Sequence, residues 1–334
     1  MILFAFTILK TSYKIWPMLK TILINLLKLA IAGALLGWLL QSGKLDFKLL
    51  GTLKQHPVAV AMAVIISITN FWLVSYRWKS ILKARSTVDI PMTGMLKITW
   101  IGQFFSSVLP GSVTGDLVKL LYVQKFEKNF SKQFLFASIL IDRAMGLSGL
   151  ILMVGISSLL FSGHILENAP GMEPLLKFNY VLVLLVVVSL GLFMYWHEFI
   201  RGIFVTLEVK IPSIFSRVIS LWDDLVMIKS RMLKAVALSI LIQFLGVLVF
   251  WSLIAPFVDG KMDFIQSLAF IPLGLMTLAL PVAPSGLGVG HAIFQKLFEF
   301  SGIDNGASLF NLYFVVTLSV NVLGVIPYLL SKRK

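Results

Sequence analysis

The sequence lacks cysteine and has few charged residues, and both shortages narrow what it can do. None of its 334 residues is Cys, which excludes disulfides, thiolate nucleophiles and cysteine metal ligands. Acidic residues are the scarcest charged class, 15 against 29 basic residues, which gives a formal net charge of +14. No nucleic-acid recognition motif accompanies this charge, and the basic residues flank apolar segments, so we expect no nucleic-acid partner.

Long polar segments are missing as well. Hydrophobic residues make up 58% of the chain and the mean hydropathy is +0.93, whereas ordinary soluble domains are about 45–50% apolar. The segments between the apolar runs are short, which leaves no room for an appended soluble catalytic domain. The sequence therefore predicts an all-α polytopic membrane protein with a single membrane domain over residues 1–334.

The apolar runs predict six full transmembrane helices and two interrupted segments. About 20 apolar residues are needed to cross the hydrocarbon core of a bilayer, which is about 30 Å thick. The interrupted segments are residues 94–125 and 264–299. The full spans are expected at residues 21–41, 57–76, 133–161, 178–196, 233–257 and 307–330.

Proline and glycine interrupt both segments near their midpoints. Residues 109–116 read LPGSVTGD and residues 283–291 read APSGLGVGH, with Pro110 and Pro284 at the expected tips. Irregular backbone at membrane depth persists only where protein or a water-filled cavity satisfies its polar groups. Matching interruptions in two halves of a chain indicate the midplane binding site of a secondary transporter.

The distribution of basic residues predicts the topology. The loops and termini on one side of the predicted spans hold 20 Lys and Arg residues, and those on the other side hold five. Short basic loops face the cytoplasm, so we expect both termini there. Both ends of segment 94–125 then lie inside and both ends of segment 264–299 outside, which predicts two re-entrant helical hairpins. The alternative of two kinked spans stays open, because membrane helices tolerate Pro and Gly.

These assignments make the two halves an inverted repeat. Residues 21–161 form the first repeat, residues 162–177 an external loop and residues 178–330 the second repeat, related by an axis in the membrane plane. Within the second repeat, residues 211–230 carry apolar side chains at three- and four-residue spacing. This spacing predicts an amphipathic helix that lies on the membrane surface.

Five ionisable residues lie inside apolar segments, namely Asp116, Lys119, Asp142, Arg143 and His291. A charge at the centre of a membrane helix costs at least about 2.5–3.5 kcal/mol, so such residues are candidates for a functional site. Arg143 is shaped for a bidentate phosphate contact and Lys119 acts as a point charge, which suits an anionic headgroup. Two structural alternatives stay open, in which Asp116 caps a helix or an Asp neutralises Arg143 within an internal ion network.

Other residues complete the candidate binding site. Arg77 ends the second span, where it either contacts substrate or anchors the helix at the membrane border. His291 either couples transport to protons or serves as a structural hydrogen-bond partner. Neither glycine run fits a nucleotide fingerprint, and we expect no cofactor or metal. Backbone N–H groups near the two tips suit an anion, at Gly111, Gly115, Gly286 and Gly288.

Four motifs follow one another along nearly the whole chain. They are residues 76–82 (YRWKSIL), 102–116 (GQFFSSVLPGSVTGD), 141–146 (IDRAMG) and 284–289 (PSGLGV). Together they resemble the lysylphosphatidylglycerol synthase transmembrane region, or flippase-like, family. The resemblance implies a multi-pass protein of a prokaryotic cytoplasmic membrane that moves lipids between leaflets.

The sequence departs from the pattern of that family at several positions. Lys119 stands where the family usually has Arg and Asp142 where it has Glu, which keeps the sign of each charge. Thr114 replaces a glycine, and His291 replaces a residue that is commonly acidic, so a mechanism based on that carboxylate is not carried over. Larger members add an aminoacyl-transferase domain that these residues do not include, so we do not expect synthesis of an aminoacylated lipid.

The sequence thus predicts a lipid flippase or translocase and not an enzyme. The expected substrate is a membrane lipid with an anionic phosphate headgroup, which passes through a cleft between the two hairpins. One alternative is a noncatalytic scaffold for a separate lipid synthase or glycosyltransferase. Another is a membrane-embedded lipid-modifying enzyme that uses Asp116, Asp142 or His291 as acid or base.

Overall fold

The computed structural model describes residues 51–108, 114–127, 130–278 and 289–331. All regular elements in these ranges are helices, which confirms the prediction of an all-α protein. The predicted span at residues 21–41 lies outside the described residues, and so do Pro110, Gly111, Pro284, Gly286 and Gly288.

The described ranges contain ten α-helices, with short 3-10 turns before α1, before α5 and after α6. In chain order they are α1 Pro57–Leu82, α2 Met92–Val108, α3 Thr114–Phe126, α4 Lys132–Asn168, α5 Glu173–Glu208, α6 Pro212–Ile254, α7 Phe264–Leu278, α8 Val289–Glu299, α9 Gly306–Val322 and α10 Val325–Ser331.

Local sequence signals set where several of these helices begin. Pro57 and Pro212 begin α1 and α6, at a position where a helix makes no use of the missing N–H group. Ser131 caps α4, and its hydroxyl oxygen accepts a hydrogen bond of 3.1 Å from the backbone N–H of Phe134.

Five helical segments are long and apolar enough to cross a membrane, and they match the five predicted spans that fall within the described residues. Four of them run clearly further than predicted, and in two of these the helix continues past a bend, at Phe161 in α4 and at Trp196 in α5. The segments are Pro57–Leu82, Lys132–Asn168, Pro170–Glu208, Pro212–Phe257 and Gly306–Ser331.

Each interrupted segment contains two short helices. Helices α2 and α3 have 17 and 13 residues, and α7 and α8 have 15 and 11. At a rise of about 1.5 Å per residue, they are about 26, 20, 23 and 17 Å long, which is shorter than the hydrocarbon core. Within each pair the two helices pack against each other.

Residues 211–230 do not form a separate helix. Helix α6 runs without a break from Pro212 to Ile254 and therefore joins the predicted surface helix to the span that follows. No Pro or Gly occurs between residues 213 and 245, so nothing in the sequence ends the helix at that point. The placement of residues 212–230 at the membrane surface stays a prediction.

Two buried clusters stabilise the bundle. One surrounds the end of α1, the beginning of α4 and the middle of α6 together with α2 and α3, and it includes Trp78, Met95 and Phe134. The other contains α7, α8, α9 and the end of α6, and it is rich in phenylalanine, including Phe250 and Phe294. The second cluster contributes part of the lining of the candidate site.

Candidate functional site

A cavity of about 610 Å³ is lined by residues of α1, α2, α3, α4, α6, α7 and α9. Helices α1 to α4 give it a polar wall, with Gln103 and Ser106 beside the charged residues. Helix α9 gives it a mainly apolar wall, which includes Phe310, Phe314 and Leu318. The cavity is therefore amphipathic, with charged and polar side chains on one part of its lining and apolar side chains on another.

Asp116 lies at the centre of the polar wall and contacts two cations. Its carboxylate oxygens lie 2.7 Å from Nζ of Lys119 and 2.5 Å from Nε of Arg143. Asp116 is in the first turn of α3, where a negative charge also interacts favourably with the helix dipole. The side chains of Asp116 and Lys119 are about 10% exposed, whereas that of Arg143 is 36% exposed.

A second ion pair joins α1 to α4. Nε of Arg77 donates to Asp142 over 2.8 Å, and Nη1 of Arg77 donates to the hydroxyl of Ser239 on α6, also over 2.8 Å. Only 5% of Arg77 is exposed, and its guanidinium bonds to side chains of α4 and α6. Asp142 bonds to Arg77, while Arg143 bonds to Asp116.

Glycines allow the helices that carry these charges to approach closely. A Cβ atom on Gly115 would lie 2.0 Å from the carbonyl oxygen of Gly102, so α2 and α3 touch through their backbones. A Cβ atom on Gly149 would lie 2.8 Å from the backbone of Ser239, which brings α4 against α6. Gly115, predicted to bind the anion through its N–H, is buried at this helix contact.

His291 lies apart from the cavity. It is buried on α8, its Nε2 hydrogen-bonds to Oδ1 of Asn311, and its ring meets Phe310 edge-on at 4.8 Å between centroids. It is not among the residues that line the cavity, although Phe310 is. The structural interpretation of His291 agrees with this position.

The search for buried charges did not indicate two residues of the site, Gln243 and Asn321, because they carry no charge. Nε2 of Gln243 donates to the carbonyl of Gly146 over 3.1 Å. Nδ2 of Asn321 donates to the hydroxyl of Ser107 over 2.9 Å and so joins α9 to α2. An amide inside an apolar span is a signal that could have identified both residues.

The charged residues form one electrostatic unit. Arg77, Lys119 and Arg143 supply three positive charges against the two carboxylates of Asp116 and Asp142, so the formal net charge is +1. Nζ of Lys119 also lies 5.4 Å from the ring centroid of Trp78, which adds a cation–π contact. Among the described residues, no group of three His, Asp or Glu side chains could hold a metal ion.

Comparisons with known proteins identify the family of this chain. The chain is 18% identical over 274 residues to the UPF0104 membrane protein PH1989 of Pyrococcus horikoshii, covering 75% of this chain and 79% of that protein. No solved structure gives a significant match. The family model described as the lysylphosphatidylglycerol synthase transmembrane region matches residues 25–324, which confirms the resemblance of the four motifs. The chain is therefore a multi-pass membrane protein that belongs to the lysylphosphatidylglycerol synthase transmembrane region family.

Proposed function

We propose that this chain moves a phosphate-bearing lipid between the two leaflets of a prokaryotic cytoplasmic membrane. The observation that carries the proposal is the cavity of about 610 Å³, which places a buried ionic wall opposite an apolar wall. A lipid has the same two parts, a charged headgroup and apolar chains. An ionic cluster inside the membrane is costly, and this cost favours a functional role for it.

Arg143 is the residue that first meets the headgroup in this proposal. It is more exposed than the other four charged residues, and its guanidinium suits a bidentate contact with phosphate. A phosphate that binds Arg143 and Lys119 competes with Asp116 for the same N–H donors. Asp116 therefore holds both cations while the cavity is empty and takes them back when the lipid leaves.

Arg77 and Asp142 have a positioning role in the same proposal. Their ion pair is almost fully buried and is tied to α6 through Ser239. It fixes α1, α4 and α6 around the cavity while the exchange at Asp116 takes place. The Arg77 pair is the less exposed of the two, so the lipid contacts it less than it contacts Arg143.

The proposal includes a topology for the two short helix pairs. We infer that α2 and α3 enter and leave the membrane on the cytoplasmic side, and that α7 and α8 do so on the opposite side. The lengths of these helices, each shorter than the bilayer, support this arrangement. It makes the halves an inverted repeat with both termini in the cytoplasm, as the basic residues indicate.

The test is transbilayer movement of labelled lipids in liposomes that contain the purified chain. Phosphatidylglycerol and a polyprenyl phosphate serve as substrates, with and without a pH gradient, and lipid composition is analysed before and after. We expect unaltered lipid to move, and Arg143→Glu to abolish the movement. Arg201→Glu is the matched control, because Arg201 forms a similar bond of 2.7 Å with Asp223 outside the cavity.

Other results would favour the other functions. Chemically altered lipid would indicate an enzyme, with Asp116, Asp142 or His291 as candidates for acid or base. No movement of any lipid under any gradient would indicate a scaffold that requires a partner enzyme. Equal movement by Arg143→Glu and Arg201→Glu would contradict the assignment of the site while leaving transport itself intact.

A further inference from the structure

A second, strongly basic cavity lies at the end of α1, away from the central one. Its volume is about 420 Å³, and it is bounded by α1, the start of α2 and the middle of α6. Four of the residues that line it are cations, namely Lys79, Lys83, Arg231 and Lys234. None of them lines the central cavity.

Helix α1 separates the two cavities. Tyr76 lines the basic cavity, while the next residue, Arg77, lines the central one. Consecutive residues of an α-helix point about 100° apart, so the two side chains extend to different faces of α1. The basic cavity is thus a distinct site, although it shares α1 and α6 with the central one.

Aromatic side chains shape the basic cavity. Nζ of Lys234 donates to the hydroxyl of Tyr76 over 2.6 Å and lies 4.8 Å from the centroid of the same ring. Tyr76 stacks on Trp72 with 5.6 Å between centroids and 2° between planes, and Trp72 is 46% exposed. Trp and Tyr are enriched at the headgroup level of membranes, which is the depth we expect for this cavity.

Among the described residues, one carboxylate contacts these cations, so the cavity keeps a net positive charge. Asp89, at 70% side-chain exposure, lies 3.2 Å from Nζ of Lys79 and 3.1 Å from Nζ of Lys83. It follows α1 in the connection to α2 and is not among the residues that line the cavity. Four cations against this single exposed carboxylate form a site suited to an anion.

We propose that this cavity binds a phosphate-bearing anion at the membrane border, either the headgroup of an anionic phospholipid or a soluble phosphate. The cations come from two helices, Lys79 and Lys83 from α1 and Arg231 and Lys234 from α6, so a bound phosphate joins these helices. Clusters of basic residues beside membrane spans are typical of anionic-lipid recognition. This binding is independent of the translocation proposed above.

Native mass spectrometry of the full-length chain in detergent tests the proposal, with phosphatidylglycerol compared with phosphatidylcholine. The measurement is made in the Arg143→Glu background, which removes the proposed phosphate contact in the central cavity. We expect phosphatidylglycerol to be retained selectively, and the double change Arg231→Gln with Lys234→Gln to weaken its binding about 30-fold. Lys125→Gln with Lys210→Gln is the control, because it removes two exposed charges outside the cavity.

Competition by glycerol phosphate and by inorganic phosphate identifies the source of the anion. Displacement at equal concentration supports a site for soluble phosphate, and resistance to displacement supports a lipid headgroup. Lys234→Arg preserves the positive charge at this position, so this variant should bind phosphatidylglycerol as the unmodified position does. Binding by Lys234→Arg would show that the loss in the Gln variant comes from the missing charge and not from misfolding. Equal binding by the Gln variant and its control would overturn the proposal, and so would loss of selectivity in Arg143→Glu alone.

Discussion

The two short helix pairs, α2 with α3 and α7 with α8, are stabilised by different interactions. Helices α2 and α3 carry buried ions, with Asp116 between Lys119 and Arg143. Helices α7 and α8 are stabilised by aromatic packing, in which Phe294 stacks on Phe310 with 5.0 Å between centroids. The first pair lines the cavity with charge, whereas the second supports the apolar wall. We infer that side chains of the first pair contact the substrate, whereas the second pair keeps a fixed structure.

The largest expected difference concerns the polar contacts of the two pairs. Asp116→Asn removes the carboxylate that both Lys119 and Arg143 contact, and breaking a buried ion pair costs about 3 kcal/mol. His291→Gln disturbs the hydrogen bond to Asn311, and a hydrogen bond between neutral groups is worth about 1 kcal/mol. We therefore expect the first change to lower the melting temperature in detergent more than the second. An equal fall in melting temperature for the two variants would contradict the conclusion that ion pairs stabilise the first helix pair.

Glycines at close helix contacts allow a second comparison of the two pairs, in which the expected difference in stability is of intermediate size. Gly115→Ala should destabilise the chain by about 2 kcal/mol, because the new methyl group meets a backbone oxygen that cannot move aside. Gly274→Ala should cost less, since its methyl group meets the ring of Phe294, which shifts more readily than backbone. Melting temperatures of the two variants test the order.

Gly163→Ala is the control for this pair. Nothing lies within 4 Å of the Cβ position at Gly163, which is within α4. Alanine should leave stability unchanged or raise it by up to about 1 kcal/mol, because alanine favours the helix. A loss at Gly163 as large as that at Gly115 would show that any methyl group is harmful and that the close contact of α2 and α3 is not the cause.

The smallest expected effect is a dependence of stability on pH, which arises from Glu127 at the end of the first pair. Burial raises the pKa of Glu127, but hydrogen bonds from Ser86 and Thr87 outweigh it, so the pKa lies below its usual value. This stabilisation is complete above the unfolded pKa of about 4.3 and is lost as the pH falls through the folded pKa.

Thermal unfolding between pH 7 and pH 3.5 checks this dependence. The unmodified chain should lose stability on acidification by up to about 1 kcal/mol more than Glu127→Gln, which cannot titrate. A change in the second helix pair serves as the contrast. His291→Gln keeps Glu127, so it should still lose the stability that depends on Glu127 when the pH falls. An identical pH profile for the unmodified chain and Glu127→Gln would contradict the role of this carboxylate.

The spans could be predicted because length and hydropathy determine them almost alone. The five described spans lie where the apolar runs lie. Helix ends were less predictable, since α4 and α5 continue through bends at Phe161 and Trp196 that no Pro or Gly marks. The continuity of α6 was also missed, because an amphipathic pattern does not indicate whether a helix continues into a span.

The site was predictable to the extent that buried charge is costly. Asp116, Lys119, Asp142 and Arg143 attracted attention for that reason, and the structure brings them together around one cavity. The ion-pair partners were not predictable, because Arg77 and Asp142 are 65 residues apart and meet only through helix packing. The sequence left two roles open for Arg77, a contact with substrate or an anchor, because a cation at the end of a span can also reach the membrane border.

The absence of cysteine offers the most direct test of the central claim, that lipid passes through the central cavity. Leu147→Cys places a single thiol in the cavity, and Lys177→Cys places one at a position with 72% side-chain exposure outside it. A bulky, charged reagent that forms a mixed disulfide with Leu147→Cys should block lipid movement in liposomes, and a reductant that cleaves this disulfide should restore it. Lys177→Cys labelled in the same way should move lipid normally. Lipid movement at the unlabelled rate by fully labelled Leu147→Cys would contradict the account.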